Sequence, residues 1–359
     1  MLQRGQIKDF SDAEVDSTAR PNSIELASTA RVSENFLTWL YMLIPLGLLL
    51  LSADHWLFSS FFKTHLPADP EENVYFTILF VSPHILWSLI SASEKNYLKH
   101  LISAVRWHYW LFNLVLPLTL LTFFGKPYFL VCQAFISLRH VFFQQFGVSR
   151  MLLRSKPSSH AGLTTALEYL IVLSAIVFFF QYLFLDDDHT FWVAKLIDRL
   201  LVNSKFFVTT SILLTVAVMF LNIRNIISAR LIPRLNYLGS LALAPFFAVC
   251  FSLGYTFIGI LVLRLVHDLT AMSFYYVHDV NRNQEGRKNF FYSFRLLRWL
   301  PIPILAPLLA IALAHAVIGL SDFYWIGLLS ILLELLHRLI EGVCWKKGSP
   351  MASSILLSK

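Results

Sequence analysis

The chain has 359 residues, of which 57% are hydrophobic and 14% charged, and its mean hydropathy is +0.62. Soluble domains carry charge on about a quarter of their residues, so this composition excludes an ordinary soluble domain and indicates an integral membrane protein. The formal net charge of +7 does not indicate a nucleic-acid-binding protein, because Lys and Arg fall in short loops rather than on one basic face.

The elements predicted in chain order are a tail and then ten apolar segments. Residues 1–35 mix both charge signs with Ser and Thr and lack the apolar core of a secretory signal, so they are predicted to form a mobile cytosolic tail. The segments that follow are long enough to cross a bilayer. They are 36–53, 74–92, 107–124, 128–147, 165–185, 206–222, 236–251, 255–276, 299–320 and 323–339.

The predicted fold class is therefore all-α. Residues 36–345 are expected to form a polytopic transmembrane helical bundle of about ten spans, and residues 346–359 a cytosolic C-terminal tail. Basic residues concentrate in the loops that follow the even-numbered segments, whereas acidic residues dominate the other side. The positive-inside rule then predicts that both termini are cytosolic.

Two His-Asp pairs mark residues 264–283. His267-Asp268 and His278-Asp279 are eleven residues apart, which is three helical turns and about 20° more. Both histidines should thus line one stripe of one helix. Ionisable side chains inside a membrane are costly and usually serve a function, so this stretch predicts a functional site.

Four histidines are predicted to share one depth. His84, His140, His267 and His337 each lie about ten to fourteen residues into a segment that runs from outside to inside, at about 1.5 Å per residue. A single histidine in a membrane helix more often makes a hydrogen bond to a neighbouring helix. Four at one level, in the cytosolic half of the bilayer, indicate a common site.

Imidazole and carboxylate groups in a dry setting are suited to a transition-metal ion, with the carboxylates as ligands or as groups that orient the imidazoles. Glu334 and His337 also have the i, i+3 spacing of bundle-core di-iron sites, although that pattern needs a second such pair. The predicted metal ligands are His84, His140, His267, His278 and His337. The predicted catalytic or ligand-orienting acids are Asp268, Asp279, Glu334 and Glu341.

Two stretches resemble the motifs of a family of bacterial multi-pass membrane proteins. Residues 139–147 resemble its His-x-x-x-Gln-Gln-x-Gly segment, and residues 337–346 resemble its closing His-x-x-x-acid-Gly-x-x-Trp-basic segment. This resemblance implies a multi-pass protein of the bacterial inner (cell) membrane and no particular activity. A looser analogy is to histidine-dependent membrane oxygenases of the Brp/Blh type, which place iron-binding histidines on separate helices, but their local motifs are not found in this chain.

The leading hypothesis is a metal-dependent membrane oxidase or oxygenase. Its cofactor is expected to be iron, with a di-iron site as one option, and its substrate an apolar lipid-like or isoprenoid molecule taken from the cytosolic half of the bilayer. The expected partners are membrane lipids, that substrate and an electron donor, with no nucleic acid. The alternatives are a proton-coupled transporter with a His/Asp/Glu relay and a lipid-modifying transferase or hydrolase.

Overall fold

A computed structural model confirms the all-α prediction. It describes residues 29–67, 69–105, 107–153, 161–184, 204–283, 286, 288–320, 323–344, 349, 351 and 354–358. Within that part of the chain, thirteen helices and two very short strands form the fold.

The helices, in chain order, fall into long apolar rods and short connecting pieces. They are α1 Glu34–Trp56, α2 Phe61–His65, α3 Val74–Ala92, α4 Lys95–Ala104, α5 (Trp107–Trp110, Leu111–Val115, Leu116–Thr119 and Leu120–Phe124 in succession), α6 Lys126–Leu153, α7 Ala161–Phe184, α8 Ser204–Leu221, α9 Ile223–Ser228, α10 Leu231–Ser252, α11 Thr256–Arg282, α12 Ile302–Gly319 and α13 Tyr324–Cys344.

Each of the ten predicted apolar segments falls on a long helix, namely α1, α3, α5 to α8 or α10 to α13. Five of these helices, α1, α3, α10, α11 and α12, are long and apolar enough by themselves to cross a membrane. Many large apolar side chains remain exposed on the outer faces of the bundle, including Leu49, Phe123 and Phe220. Those faces suit a lipid environment, because soluble monomers rarely expose apolar patches of such extent.

Helices α1 and α10 pack unusually closely where a glycine faces an aromatic ring. A Cβ atom built on Gly239 would lie 2.5 Å from Cγ of Tyr41, which is closer than carbon atoms can approach without strain. Small residues at helix contacts allow such approaches in membrane bundles. Gly239 therefore allows α1 to pack closely against α10.

The two ends of the described chain meet. Strand β1, Val32–Ser33, pairs in parallel with strand β2, Leu357–Ser358. The Asn281 side chain, at the end of α11, accepts a hydrogen bond from the backbone N–H of Ala30 and donates to the carbonyls of Ala30 and Ser354.

This contact involves both of the predicted tails. Residues 29–35 of the predicted N-terminal tail enter β1 and the first turn of α1, and Leu357–Ser358 of the predicted C-terminal tail pairs with β1. Residues 1–28, 346–348, 350, 352, 353 and 359 of the two predicted tails lie outside the described residues.

Candidate metal centre

Four histidines from four different helices meet inside the bundle. His84 lies on α3, His140 on α6, His267 on α11 and His337 on α13. The His84 ring centroid is 4.7 Å from that of His267 and 4.4 Å from that of His337. The His140 centroid lies 5.3 Å and 5.6 Å from the same two rings. All four rings therefore share one level and one pocket.

Glu341 completes the cluster from one turn beyond His337 on α13. Donor atoms of His84, His267, His337 and Glu341 all lie within 4.8 Å of one another. One Glu341 oxygen is 3.6 Å from Nε2 of His84, and the other is 2.7 Å from Nε2 of His140 and 3.8 Å from Nε2 of His337. A buried group of three histidines and one glutamate could thus hold a metal ion, with His140 at its edge against Glu341.

Further polar side chains hold these groups in place from behind. Nδ1 of His84 is 3.1 Å from Oδ1 of Asp268, and Nδ1 of His337 is 2.8 Å from Oγ of Ser88. The hydroxyl of Tyr275 and the amide of Gln144 donate hydrogen bonds to the two oxygens of Glu341. Such partners fix the orientation of metal-binding imidazoles and carboxylates and raise their affinity.

The local sequence around His84 explains how α3 presents its ring. Pro83 has no backbone N–H, so it cannot donate to the carbonyl of Leu79 as a regular α-helix would require. The turn before it, Thr77–Val81, is accordingly wound as a wider π turn. Turns of this kind are frequent at functional sites because they shift the phase of the helix that follows.

The histidine nitrogen atoms of the cluster are available to bind a metal ion. Both ring nitrogens of His84, Nε2 of His140 and Nδ1 of His267 are buried, and none makes a well-aligned hydrogen bond with the described residues. Buried polar atoms are nearly always paired. A cation bound between the rings would satisfy several of these atoms at once, and a set of imidazoles with one carboxylate suits transition metals.

The charges in the pocket point the same way. The carboxylates of Glu341 and Asp268 are buried, with at most 1% of either side chain exposed, and the guanidinium of Arg264 lies 3.6 Å from Asp268. The two acids outnumber this cation. Because buried charge needs compensation, the pocket favours an additional positive charge, which a metal ion or a protonated imidazole beside the two carboxylates would provide.

Comparisons of the chain with known proteins identified no relative. No family model, curated protein or solved structure matches it. The function of the site therefore has to be argued from its own residues.

His278 and Asp279, predicted to join the cluster, form a separate buried network. Nδ1 of His278 is 2.8 Å from Oδ1 of Asp279, and its Nε2 is 3.1 Å from the hydroxyl of Tyr97. Burial raises the pKa of Tyr97 to about 12, so that hydroxyl keeps its proton and can donate to Nε2. The other Asp279 oxygen accepts hydrogen bonds from Trp87, Ser91 and Tyr292, at 2.8, 3.0 and 2.5 Å.

The structure places His278, predicted to be a metal ligand, in this network and apart from the group of His84, His267, His337 and Glu341. Both of its ring nitrogens have protein partners, and eleven residues of helix put it about 16 Å from His267 along the axis. Both histidines of the predicted stripe on α11 are buried. Its two histidines nevertheless serve different pockets, because no side chain can span three turns.

Glu334 also lies apart from the ligand group. Its carboxylate pairs with Arg338 one turn later on α13, and Arg338 donates a second hydrogen bond to Gln133 at 2.8 Å. The i, i+3 spacing to His337 therefore does not make Glu334 a ligand. Its charge is already matched by the buried guanidinium beside it.

Sequence reasoning missed Ser88 and Tyr275 as supports of the site. Ser88 lies four residues after His84, and Tyr275 lies eight residues after His267. Both spacings place Ser88 and Tyr275 on the same helix face as the histidine that precedes them in sequence. The signal was present, but many Ser and Tyr residues occupy helix faces, so spacing alone could not select these two.

Proposed function

We propose that this protein is a multi-pass membrane enzyme that oxidises a lipid-like or isoprenoid substrate at a single metal ion held by His84, His267, His337 and Glu341. The observation that carries the proposal is the convergence of imidazoles from four helices on one buried carboxylate. The alternatives of a transporter and of a metal-free transferase give no reason for such a compact ligand set.

We propose ten crossings. The site itself draws on two helices, α6 and α13, beyond the five that are long and apolar enough by themselves to cross a membrane. Helices α6 and α13 meet α3 and α11 at the level of the histidine rings, deep in the bundle. They have 28 and 21 residues, so at about 1.5 Å per residue each is long enough to cross the hydrocarbon core. The pairing of β1 with β2 supports the proposal that both ends of the bundle lie on one side of the membrane, as an even number of crossings requires.

Iron is the metal we propose, in line with the analogy to histidine-dependent membrane oxygenases. When bound, it would supply the activation of dioxygen, with an external donor providing the electrons. The chain itself supplies a buried ligand set, an Asp268 carboxylate that orients His84, and hydrogen bonds that hold Glu341. The apolar interior would keep water away from the reacting groups. By the motif resemblance, we place the protein in the bacterial inner membrane.

Metal analysis of the purified protein tests this proposal. We expect about one transition-metal ion per chain, and iron as the metal that supports oxygen uptake in the presence of lipid and a reductant. Changing His84, His267 or His337 to Ala should each remove most of the metal. His278→Ala is the matched control, because that histidine serves the separate network and should leave metal content unchanged.

Two results would decide against the enzyme. Wild-type protein without stoichiometric metal, prepared with iron, zinc and copper available, would remove the metal centre. Retained metal with proton-coupled solute uptake into proteoliposomes, and no oxygen consumption, would favour the transporter instead.

A further inference from the structure

A cavity of about 480 Å³ lies beside the histidine cluster, within the size range of small-molecule sites. Four of its lining residues are related to the histidines by one repeated spacing. Val81, Ser137, Arg264 and Glu334 line the cavity, and each lies three residues before a histidine of the cluster. Residues three apart on a helix share a face, one turn from each other.

The repetition of this spacing on four helices locates the cavity. Most of its lining on these helices lies on the N-terminal side of the histidines, although Ile85, Leu86 and Val141 lie just beyond His84 and His140. Helices α3, α6, α11 and α13 therefore run in the same direction past the cavity. Because one helical turn is about 5 Å, the lining residues three before each histidine lie about one turn from the proposed metal site.

The cavity is long and predominantly apolar. Along α6 its lining runs from Leu130 to Val141, eleven residues or about 16 Å of helix. Buried aliphatic and aromatic side chains dominate its walls, among them Leu138, Phe247 and Leu263. Its charged lining residues are Asp69, Arg264 and Glu334, of which Arg264 pairs with Asp268 and Glu334 with Arg338.

We propose that this cavity binds the hydrocarbon chain of a lipid and directs one end of it at the metal centre. An elongated and mainly apolar space, in which the charged groups of Arg264 and Glu334 are already paired, favours a hydrocarbon chain over a polar solute, which would leave its own polar groups without hydrogen bonds. The proposal rests on the proposed function, because it takes the histidine cluster as the reacting end of the cavity. It adds the binding site for the substrate's hydrocarbon chain and the direction from which the substrate reaches the metal.

Photo-crosslinking of the purified full-length protein in detergent tests the proposal. A diazirine-bearing palmitate and a diazirine-bearing farnesol are the two probes, and labelled peptides are identified by mass spectrometry. We expect labels on cavity residues of α6 and α11. Excess unlabelled long-chain lipid should reduce them at least tenfold, whereas acetate should not. The probe that labels more strongly distinguishes a straight acyl chain from an isoprenoid chain.

A cavity-filling variant supplies a second measurement. Ala134 lines the cavity and is 7% exposed, so Ala134→Phe should cut cavity labelling at least tenfold. Ala312→Phe is the control, because Ala312 lies on the exposed face of α12 and is not among the lining residues. Metal content is measured on the same samples and should not change in either variant.

The outcomes separate this proposal from the proposed function. Labels confined to the outer faces of the helices, or cavity labels that long-chain lipid does not displace, would overturn the lipid site even if metal is present at one ion per chain. Displaceable cavity labelling without any metal would keep the lipid site and remove the oxidation chemistry. If Ala134→Phe fails to fold, the competition experiment on the unaltered protein still decides.

Discussion

Replacing Asp268 by Asn removes one negative charge from behind the metal centre and leaves the size of the side chain almost unchanged. Asp268 is fully buried, and its two oxygens lie 3.1 Å from Nδ1 of His84 and 3.6 Å from Nε of Arg264. The amide oxygen of Asn can take the place of the carboxylate oxygen that faces Nδ1 of His84. The substitution therefore tests the charge rather than the packing.

The distances set the size of the expected effect. A metal ion on the far nitrogen of the His84 ring would lie about 7 Å from the Asp268 carboxylate, given a metal–nitrogen bond of about 2 Å. A divalent ion and a unit charge at that separation attract each other by about 5 kcal/mol at an effective dielectric constant of about 20. This value is an upper bound, because the positive charge of Arg264 offsets part of the field.

Loss of a group that orients a metal ligand commonly weakens metal affinity by about 10- to 100-fold. That range corresponds to about 1.4–2.8 kcal/mol, which lies below the Coulomb bound. We expect Asp268→Asn to weaken metal binding by this amount, measured by competition with a chelator of known affinity. Affinity within twofold of the unaltered protein would refute the view that Asp268 acts on the metal through His84.

Asp279→Asn is the matched control, because it alters the same dipeptide on the same helix three turns away. It should keep the metal affinity but lower the melting temperature, since the Asp279 carboxylate accepts hydrogen bonds from Trp87, Ser91 and Tyr292. Equal loss of metal in both variants would indicate general unfolding rather than a local effect on the site.

Two further predictions concern the fold. Gly239→Ala should destabilise the protein by about 1–3 kcal/mol, because the added methyl group would meet Tyr41 at 2.5 Å. Gly147→Ala is the control: it lies within α6, a Cβ there meets nothing within 4 Å, and its melting temperature should stay the same or rise, because Ala favours a helix over Gly. Equal melting temperatures for the two variants would contradict the close packing at Gly239. Deleting residues 354–359 removes β2 and the Ser354 carbonyl that accepts a hydrogen bond from Asn281. Limited proteolysis should then cleave within residues 29–33. Resistance equal to that of the full chain would show that the strand pair does not protect these residues.

Much of the helical fold was predictable from sequence because long apolar runs leave few options. In a lipid environment, to which the outer faces of the bundle are suited, backbone groups must be paired within the segment, and a helix does this. All ten predicted segments fall on helices, five of which are long and apolar enough to cross a membrane. The strand pair at Val32–Ser33 and Leu357–Ser358 could not be foreseen, because two-residue strands have no pattern of their own.

The site was predictable only in part. The shared depth of His84, His140, His267 and His337 was visible from counting along the segments, and the structure brings these four rings together. Depth cannot say which way a side chain points around its helix axis. Glu334 and Glu341 lie on nearly the same face of α13, seven residues or about 10 Å apart along the axis, and their side chains find different partners: Glu341 reaches the rings, whereas Glu334 pairs with Arg338.

The parallel pair between β1 and β2 joins residues more than three hundred positions apart. Ribosomes make proteins from the N-terminus, so residues 29–33 are made long before Leu357–Ser358 and cannot pair with that strand until α13 has been synthesised. Contacts between such distant residues form slowly. During that interval residues 29–33 lack their partner strand, so the pairing of β1 with β2 beside Asn281 is among the late contacts of folding.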